Sequence, residues 1–525
     1  MWRFSFSIAL GLLIGCLAAC GRAPPPAAAA APSAPVPGEH LARIVKQYWD
    51  DYLRLNPNYV AASGEARLGS AQEVADSPQY LADSLALERR YLAELTAVAR
   101  GRLDADSRLT YDIFKAERES AVEGFTYPEE LMPVNPFEGI AANEEGAARV
   151  DEFVRWIDQA IANMRDGLRR GYTMPRVLVE ETMAQLAKPD RAAASDRIQP
   201  AYRHLHDFLQ NEYLPRARSS VALTYLPLGD HWYAYLVRRE GGSTLTPASI
   251  HALGLSEVAR IRSILQPLIA QARTNGEAQR YLTPEEILTA YRELHSKVSA
   301  SATALFSTAP KGDFEMTTDI SVYSAAVEAT FLRDTLPGRR YQWMVQQDNV
   351  TLPTFRRLGR VRAFDEGWSL YATSLGEELG LYKEASSKIS ALSAELDCAI
   401  GLVVDTGLHA ERWTRQQALD YVLAQMPAGG EHGNADHSNA DPSKAERAIA
   451  EHKVDESIAF PGRALACKLG ELKIQALRHR AEAAQGAHFD IRAFHGQILG
   501  GGAMPLEILG AKIETWINST NGASQ

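Results

Sequence analysis

Thirteen histidines, four cysteines and an excess of carboxylates over basic side chains are the chain's raw material for chemistry. The short patterns that usually organise such groups are missing. No G-x-x-x-x-G-K-[ST] loop and no G-x-G-x-x-G after a strand-like run is present to cradle phosphates with backbone amides. No G-x-S-x-G turn presents a serine nucleophile. No H-E-x-x-H sets two imidazoles and a general-base glutamate on one helix face for zinc. His204 and His206 stand two apart in a helical stretch and so point to different sides, as ordinary, partly exposed histidines. His432 and His437 fall in AGGEHGNADHSNADPSK (428–444), a polar loop by composition. Metal binding there would have to offset the entropy of ordering its ligands. Cys398 and Cys467 lie inside apolar helical runs, which favours buried thiols and leaves pairing open in an oxidising compartment.

The N-terminus carries an address. Arg3 precedes an apolar run from Phe4, and Leu17-Ala18-Ala19-Cys20 has the lipobox pattern of bacterial lipoprotein signals. Residues 1–19 are expected to be a signal peptide, Cys20 the lipidated residue, and 20–38 a Pro/Ala-rich tether. The alternative at Cys16 would cramp the apolar run. No later run approaches the ~18 apolar residues of a spanning helix, so the lipid is the expected tie to a membrane. Gly21 after the lipidated cysteine favours the periplasmic face of an outer membrane. Among 525 residues, 55 Lys and Arg against 65 Asp and Glu give a net charge of −10. No basic surplus exists to neutralise phosphates, so a nucleic-acid partner is not expected.

The elements that must position any site are helical. In HLARIVKQYWDDYLRL, Leu41, Ile44, Val45, Tyr48, Tyr52 and Leu55 recur at helix spacing until Asn56-Pro57 stops the pattern. Similar stretches follow at 79–99, 147–170, 196–213, 254–274, 284–300, 366–380, 387–404, 414–425 and 463–484. VALTYLPL (221–228) is the best strand candidate. The expected architecture is mostly α, one large helical domain over 39–520.

The segments TLPTFRRLGRVRAFDEGWSLYATSLGEELGLY (351–382), LVVDTGLHAERW (402–413), IAFPGRALACKLGELKI (458–474) and FDIRAFHGQILGGGAMPLEIL (489–509) resemble a bacterial family known as domain of unknown function 885. LRRGYTMPR (168–176) and LGLSEVARI (253–261) fit it too. The resemblance implies a helical, gluzincin-type metallopeptidase-like fold with a central cleft, a bound zinc, and secretion or a lipid anchor. It also implies a metal motif near H-E-x-x-P-G-H-H upstream of EGW. Here that stretch reads Arg333-Asp334-Thr335-Leu336-Pro337-Gly338-Arg339-Arg340. The Pro-Gly frame is kept and the implied ligands are lost. A guanidinium stays protonated and has no lone pair for zinc. Asp334 stands at the implied general base and Glu366 of EGW at the implied third ligand. Other polar positions also depart from the family: Thr373 replaces a glutamate, Gly401 an arginine, Glu456-Ser457 an Arg-Tyr pair, Arg463 a glutamine and Cys467 a tyrosine.

The resulting expectation is a relic site of Arg333, Asp334, Arg339, Arg340 and Glu366 with no zinc and no catalytic residue. Arg333, Arg340, Glu366, Tyr371 and His409 are the candidates for ligand binding, and Asp405 reads as the cap of a helix-end turn. Arg333 or Arg340 is expected to pair with Glu366, because the two arginines share a face if one helix runs through Pro337-Gly338. The expected function is a membrane-anchored, non-catalytic lipoprotein holding a peptide or another anionic ligand in the old cleft. An active hydrolase with a displaced site and a structural envelope lipoprotein are the rivals.

Overall fold

Leu41, Ile44, Val45, Tyr48 and Leu53 line the buried face of the first helix, α1 (Pro37–Leu55), as their spacing requires. The computed structural model describes residues 37–56, 74–137, 147–187, 198–275, 282–312, 326–426 and 442–523, all within one unit, 37–525. Cys20, the signal segment, His432 and His437 lie outside the described residues. Pro37 and Gly38, assigned above to the tether, open α1; the fixed φ of proline suits a first helical turn.

The chain continues through α2 (Pro78–Leu95), α3 (Ala105–Gly124), α4 (Ala147–Arg170), α5 (Arg176–Leu186), α6 (Gln199–Phe208), α7 (Gly229–Arg239), α8 (Pro247–Asn275) and α9 (Pro284–Ala302). Then come α10 (Val327–Asp334), α11 (Arg339–Asp348), α12 (Thr354–Leu358), α13 (Arg362–Ser374), α14 (Ala385–His409), α15 (Arg415–Gln425), α16 (Pro442–Ala459), α17 (Ala466–Gln485), α18 (Ile491–Leu499) and α19 (Leu506–Ala523). Local chemistry sets several starts. Ser77 and Asp104 cap α2 and α3, and Thr283 with Glu286 and Thr414 with Gln417 form reciprocal capping boxes. Residues 442–444, read as loop, begin α16. His204 is exposed beside Asp158, and His206 is partly exposed beside Asp207.

Among the described residues no strand forms, and VALTYLPL is not one. Leu223–Tyr225 is a 3-10 turn, and Leu228 takes a left-handed φ of 57°. Side chains take the place of a neighbouring strand. Arg218 donates to the carbonyls of Ser220 and Ala222, and His409 accepts from the Leu223 amide.

The largest core joins α1–α3 to α9–α13 and α17–α19. A second lies between α4–α6, α8 and α14–α16, and a smaller one surrounds α7. The most extensive helix pairings are α8 on α14 and α13 on α17. Glycine permits the second. A Cβ on Gly367 of α13 would lie 2.4 Å from the Gly470 Cα of α17. Gly367→Ala is therefore expected to force the pair apart at a cost of about 1–3 kcal/mol. Urea unfolding checks this; a midpoint indistinguishable from wild type would show that the helices can yield.

Two further features tie α14 to α17. Cys398 and Cys467 form a disulfide, with Cα atoms 6.0 Å apart, where the sequence favoured free thiols. The packing of two distant helices creates that proximity, and neither run shows it alone. Next to Cys467, the fully buried Lys468 reaches Glu395 at 2.6 Å, Glu471 at 2.7 Å and Glu257 at 3.0 Å. Arg260 joins the same group through Glu257 at 2.7 Å and through Glu395. Burial lowers the affinity of the Lys468 amine for its proton, but Glu471 and Glu395 outweigh it and hold the ammonium charged. Burial also pushes the Glu471 carboxyl up to about 7, against the lowering pull of Lys468.

Candidate functional site

The stretch 333–340 is held by α13. α10 ends at Asp334 and α11 begins at Arg339, with a turn over 335–338 between them. Pro337 supplies no amide, and Gly338 packs so closely that a Cβ would lie 2.0 Å from the Arg333 carbonyl. Trp368 Nε1 donates to the Pro337 carbonyl at 2.9 Å and Ser369 Oγ to that of Arg333 at 2.8 Å. The three residues of EGW thus act separately. Glu366 faces the site, Gly367 admits α17, and Trp368 pins the turn.

The broken helix corrects one expectation. Arg333 and Arg340 no longer share a face, and the guanidinium that reaches Glu366 is Arg339, with Nη2 2.8 Å from Oε2. Arg339 Nε is buried with no hydrogen-bond partner among the described residues. Beside it, Asp365 is 3 % exposed. Its Oδ2 accepts from Arg360 Nε at 2.7 Å, and its Oδ1 is buried without a donor among the described residues. Burial pushes the Asp365 carboxyl up to about 6, although Arg360 pulls it down. Asp334 is also raised by burial, with Arg333 and Arg339 opposing and Glu366 reinforcing. Zinc does not fit this set. A tethered cation already holds the carboxylate implied as ligand, and no group of three His, Cys, Asp or Glu among the described residues could hold a metal.

Asp365 and Glu366 line a cleft of ≈ 1410 Å³ whose other walls come from α1–α3, α7 and the 359–362 segment. Ten carboxylates and five arginines lie among its described lining residues. Each arginine has a carboxylate partner: Arg118 on Glu88 at 2.6 Å, Arg239 on Glu129 at 3.0 Å, Arg360 on Asp365 and Arg362 on Glu240 at 2.7 and 2.8 Å, and Arg238 on Glu123. Arg118 also lies 4.1 Å over the Tyr48 ring and Arg239 5.3 Å over that of Tyr235.

Arg333, Arg340, Tyr371 and His409 are not among the residues lining this cleft. Tyr371 is buried, with its hydroxyl 2.9 Å from His495 Nε2 and 3.1 Å from Arg478 Nη1. His495 Nδ1 lies 2.8 Å from the Leu305 carbonyl, so Nδ1 carries the proton and Nε2 accepts from Tyr371. His495 was missed in the sequence; its only pointer was its place in the segment 489–509. His409 is also wholly buried: Nε2 donates to the Ser457 carbonyl at 2.9 Å, and Nδ1 accepts from Leu223 N–H at 3.1 Å. Asp405 lies inside α14 and caps a distant turn, not the end of its own helix. It accepts from the Gly462 amide at 2.9 Å and from the Tyr233 hydroxyl at 2.6 Å. Burial pushes it up to about 7. The VDTG-H and PG-A segments are thus two halves of one structural joint.

Burial drives His409 and His495 down to about 4; on protonation His409 Nδ1 would lose the Leu223 amide, and the Tyr371 hydroxyl would have to turn its proton away from His495 Nε2. Their contribution to stability is complete above the unfolded imidazole value of ~6.5 and is lost as pH falls towards 4. Imidazole NMR should show both neutral at pH 5.5; titration of either near 6.5 would contradict the bonding.

The family model for a bacterial protein of unknown function, DUF885, matches residues 61–319 and 315–513. The chain belongs to the DUF885 family. Two solved structures share its fold. A candidate lipoprotein of Colwellia psychrerythraea is 21 % identical with a TM-score of 0.76, over 92 % of this chain and 100 % of its own. A candidate lipoprotein of unknown function from Shewanella oneidensis is 14 % identical with a TM-score of 0.64, over 90 % of this chain and 99 % of its own. No curated protein matches this DUF885 chain.

Proposed function

We propose that the protein is a lipid-anchored envelope lipoprotein whose DUF885 domain has a metallopeptidase-like fold without the metal chemistry, and that it binds a peptide in the cleft beside Glu366. The observation that carries this reading is the Arg339–Glu366 ion pair. The carboxylate implied as a zinc ligand is already neutralised by a side chain, and Arg333 and Arg340 offer no lone pair in place of the lost imidazoles. A bound water beside Asp334 then has no Lewis acid to lower its pKa from 15.7 to about 7. The lipobox at Cys20 and the lipoprotein descriptions of the two structural relatives support the anchor. The size of the cleft and its mixture of tyrosines with charged groups suit an extended peptide better than a small anion.

Metal analysis together with a peptide-hydrolysis screen tests the reading. Purified protein is expected to hold no stoichiometric zinc and to show no chelator-sensitive hydrolysis. Zinc at one equivalent near Glu366, or cleavage abolished by chelation, would overturn it. Cys20→Ser is expected to release the protein from membranes, since acyl chains supply the binding at about 0.8 kcal/mol per buried CH₂. A variant that still needed detergent for extraction would refute the anchor.

A further inference from the structure

Resting on the reading of Cys20 as a lipid anchor, we infer that the turn 223–229 makes a second membrane contact, inserting Tyr225 and Leu228 into the interface of the bilayer that holds the acyl chains. Tyr225 is 55 % exposed and Leu228 54 %, and Pro227 between them is exposed too. Leu223 and Leu226 of the same turn are buried in the small core around α7. The turn thus sorts its apolar side chains. Two hold it to the body, and the others face outward, where water makes them costly.

The turn is braced. Leu226 N–H donates to the Leu223 carbonyl, Gly229 N–H to that of Leu226 and Trp232 N–H to that of Leu228, each at 2.9 Å. Leu228 takes its left-handed φ of 57° within this bracing, a conformation that costs a leucine and that glycine or asparagine adopts more readily. Its half-exposed side chain returns little of that cost through the core. A leucine held outward under strain is accounted for by a contact outside the chain.

The surroundings suit a bilayer interface. Arg412, exposed and also at a positive φ of 58°, lies 5.1 Å over the Tyr225 ring. A ring at the acyl boundary beside a guanidinium at headgroup level is the division of labour of an interfacial pair. Asp230, His231 and Glu411 are exposed nearby in sequence and leave no basic surplus. Apolar insertion, more than charge, therefore carries the contact.

The anchor can reach the plane of this tip. α1 opens beside the start of α3, where a Cβ on Gly38 would lie 3.6 Å from Ser107 Oγ. α3 rises ~30 Å over its 20 residues to Gly124, which abuts the Tyr235 hydroxyl, and α7 covers ~10 Å between Tyr235 and Leu228. The sixteen residues between Cys20 and Pro37 reach about 55 Å when stretched. Two apolar side chains bind a bilayer weakly from free solution, but a tether of this length keeps them at high effective concentration beside it.

The lipidated protein, reconstituted in vesicles of phosphatidylethanolamine and phosphatidylglycerol, tests the inference. Cys398 and Cys467 are bridged and Cys20 is the acylation site, so Leu228→Cys gives the mature chain one free thiol for a polarity-sensitive fluorophore. The label is expected to shift to the blue. Lipid-borne nitroxide should quench it at least threefold more than the same label on Val350→Cys, at a position 74 % exposed on another turn. Tyr225→Cys should behave as Leu228→Cys does, without touching the left-handed position. Equal quenching at 225, 228 and 350 in protein that floats with the vesicles would overturn the inference and leave the anchor standing. A shift that grows with protein concentration and is insensitive to the nitroxide would overturn it too, assigning the tip to a second copy of the chain. Protein that fails to float would remove the anchor and the inference together.

Discussion

Lys468→Met is expected to cost about 3–5 kcal/mol at pH 7, because it strands carboxylates in the interior without their shared cation. Glu471, Glu395 and Glu257 converge on an ammonium that has no exposed surface, and Arg260 reaches only two of them. Methionine fills much of the same volume, so the loss measures charge more than packing. The deficit should depend on pH. Glu471 is already raised to about 7 by burial, and losing Lys468 removes the main force lowering it. A carboxyl raised in the folded state contributes stability that is complete below its unfolded value near 4.3 and is lost as pH rises through its folded value. Urea unfolding of the variant at pH 5 and at pH 8 should therefore give a smaller loss at pH 5. Equal losses at both, or a loss under about 1 kcal/mol, would mean that the ammonium is not what holds these carboxylates.

Replacing both Cys398 and Cys467 by alanine is the second large effect. The bridge spans a separation of 69 residues, and chain-entropy reasoning puts the stabilisation from closing such a loop at about 4 kcal/mol. The lost stability should also appear in wild-type protein unfolded under reducing conditions. A double variant as stable as the oxidised parent would argue that the α14–α17 packing alone fixes this region. The bridge also bears on the compartment, since such bonds persist where the surroundings are oxidising, as beyond a cytoplasmic membrane.

Helix positions were legible because apolar spacing is local information. The stripe from Leu41 to Leu55 predicts α1, although Leu53 and not Tyr52 or Leu55 is the residue buried at its end, and 147–170 predicts α4 to the residue. Relations between distant segments were not legible. Nothing near Cys398 announces Cys467, and nothing near Asp405 announces that its partner is the Gly462 amide. The strand reading of 221–228 failed for a related reason. Apolar alternation cannot show that Arg218 and His409 will take the backbone groups a strand would need. In the 333–340 stretch the three arginines, and Glu366 beyond them, could be read directly. The choice of Arg339 over Arg333 and Arg340 could not, because it depends on where Pro337 and Gly338 reset the helical phase. Tyr371 and His409 drew notice as polar residues in familiar segments, yet burial confines both to bonds within the core.

The Arg339–Glu366 contact has a consequence in mass action. A dissociable metal occupies its site only while its free concentration exceeds its dissociation constant, so the charge it supplies rises and falls with supply and with competing chelators. Arg339 is delivered by its own backbone, and its local concentration at Glu366 is set by a side-chain stem. Dilution of the surroundings therefore leaves the Arg339–Glu366 contact unchanged, and only conditions that act on the ion pair itself, such as high salt, weaken it.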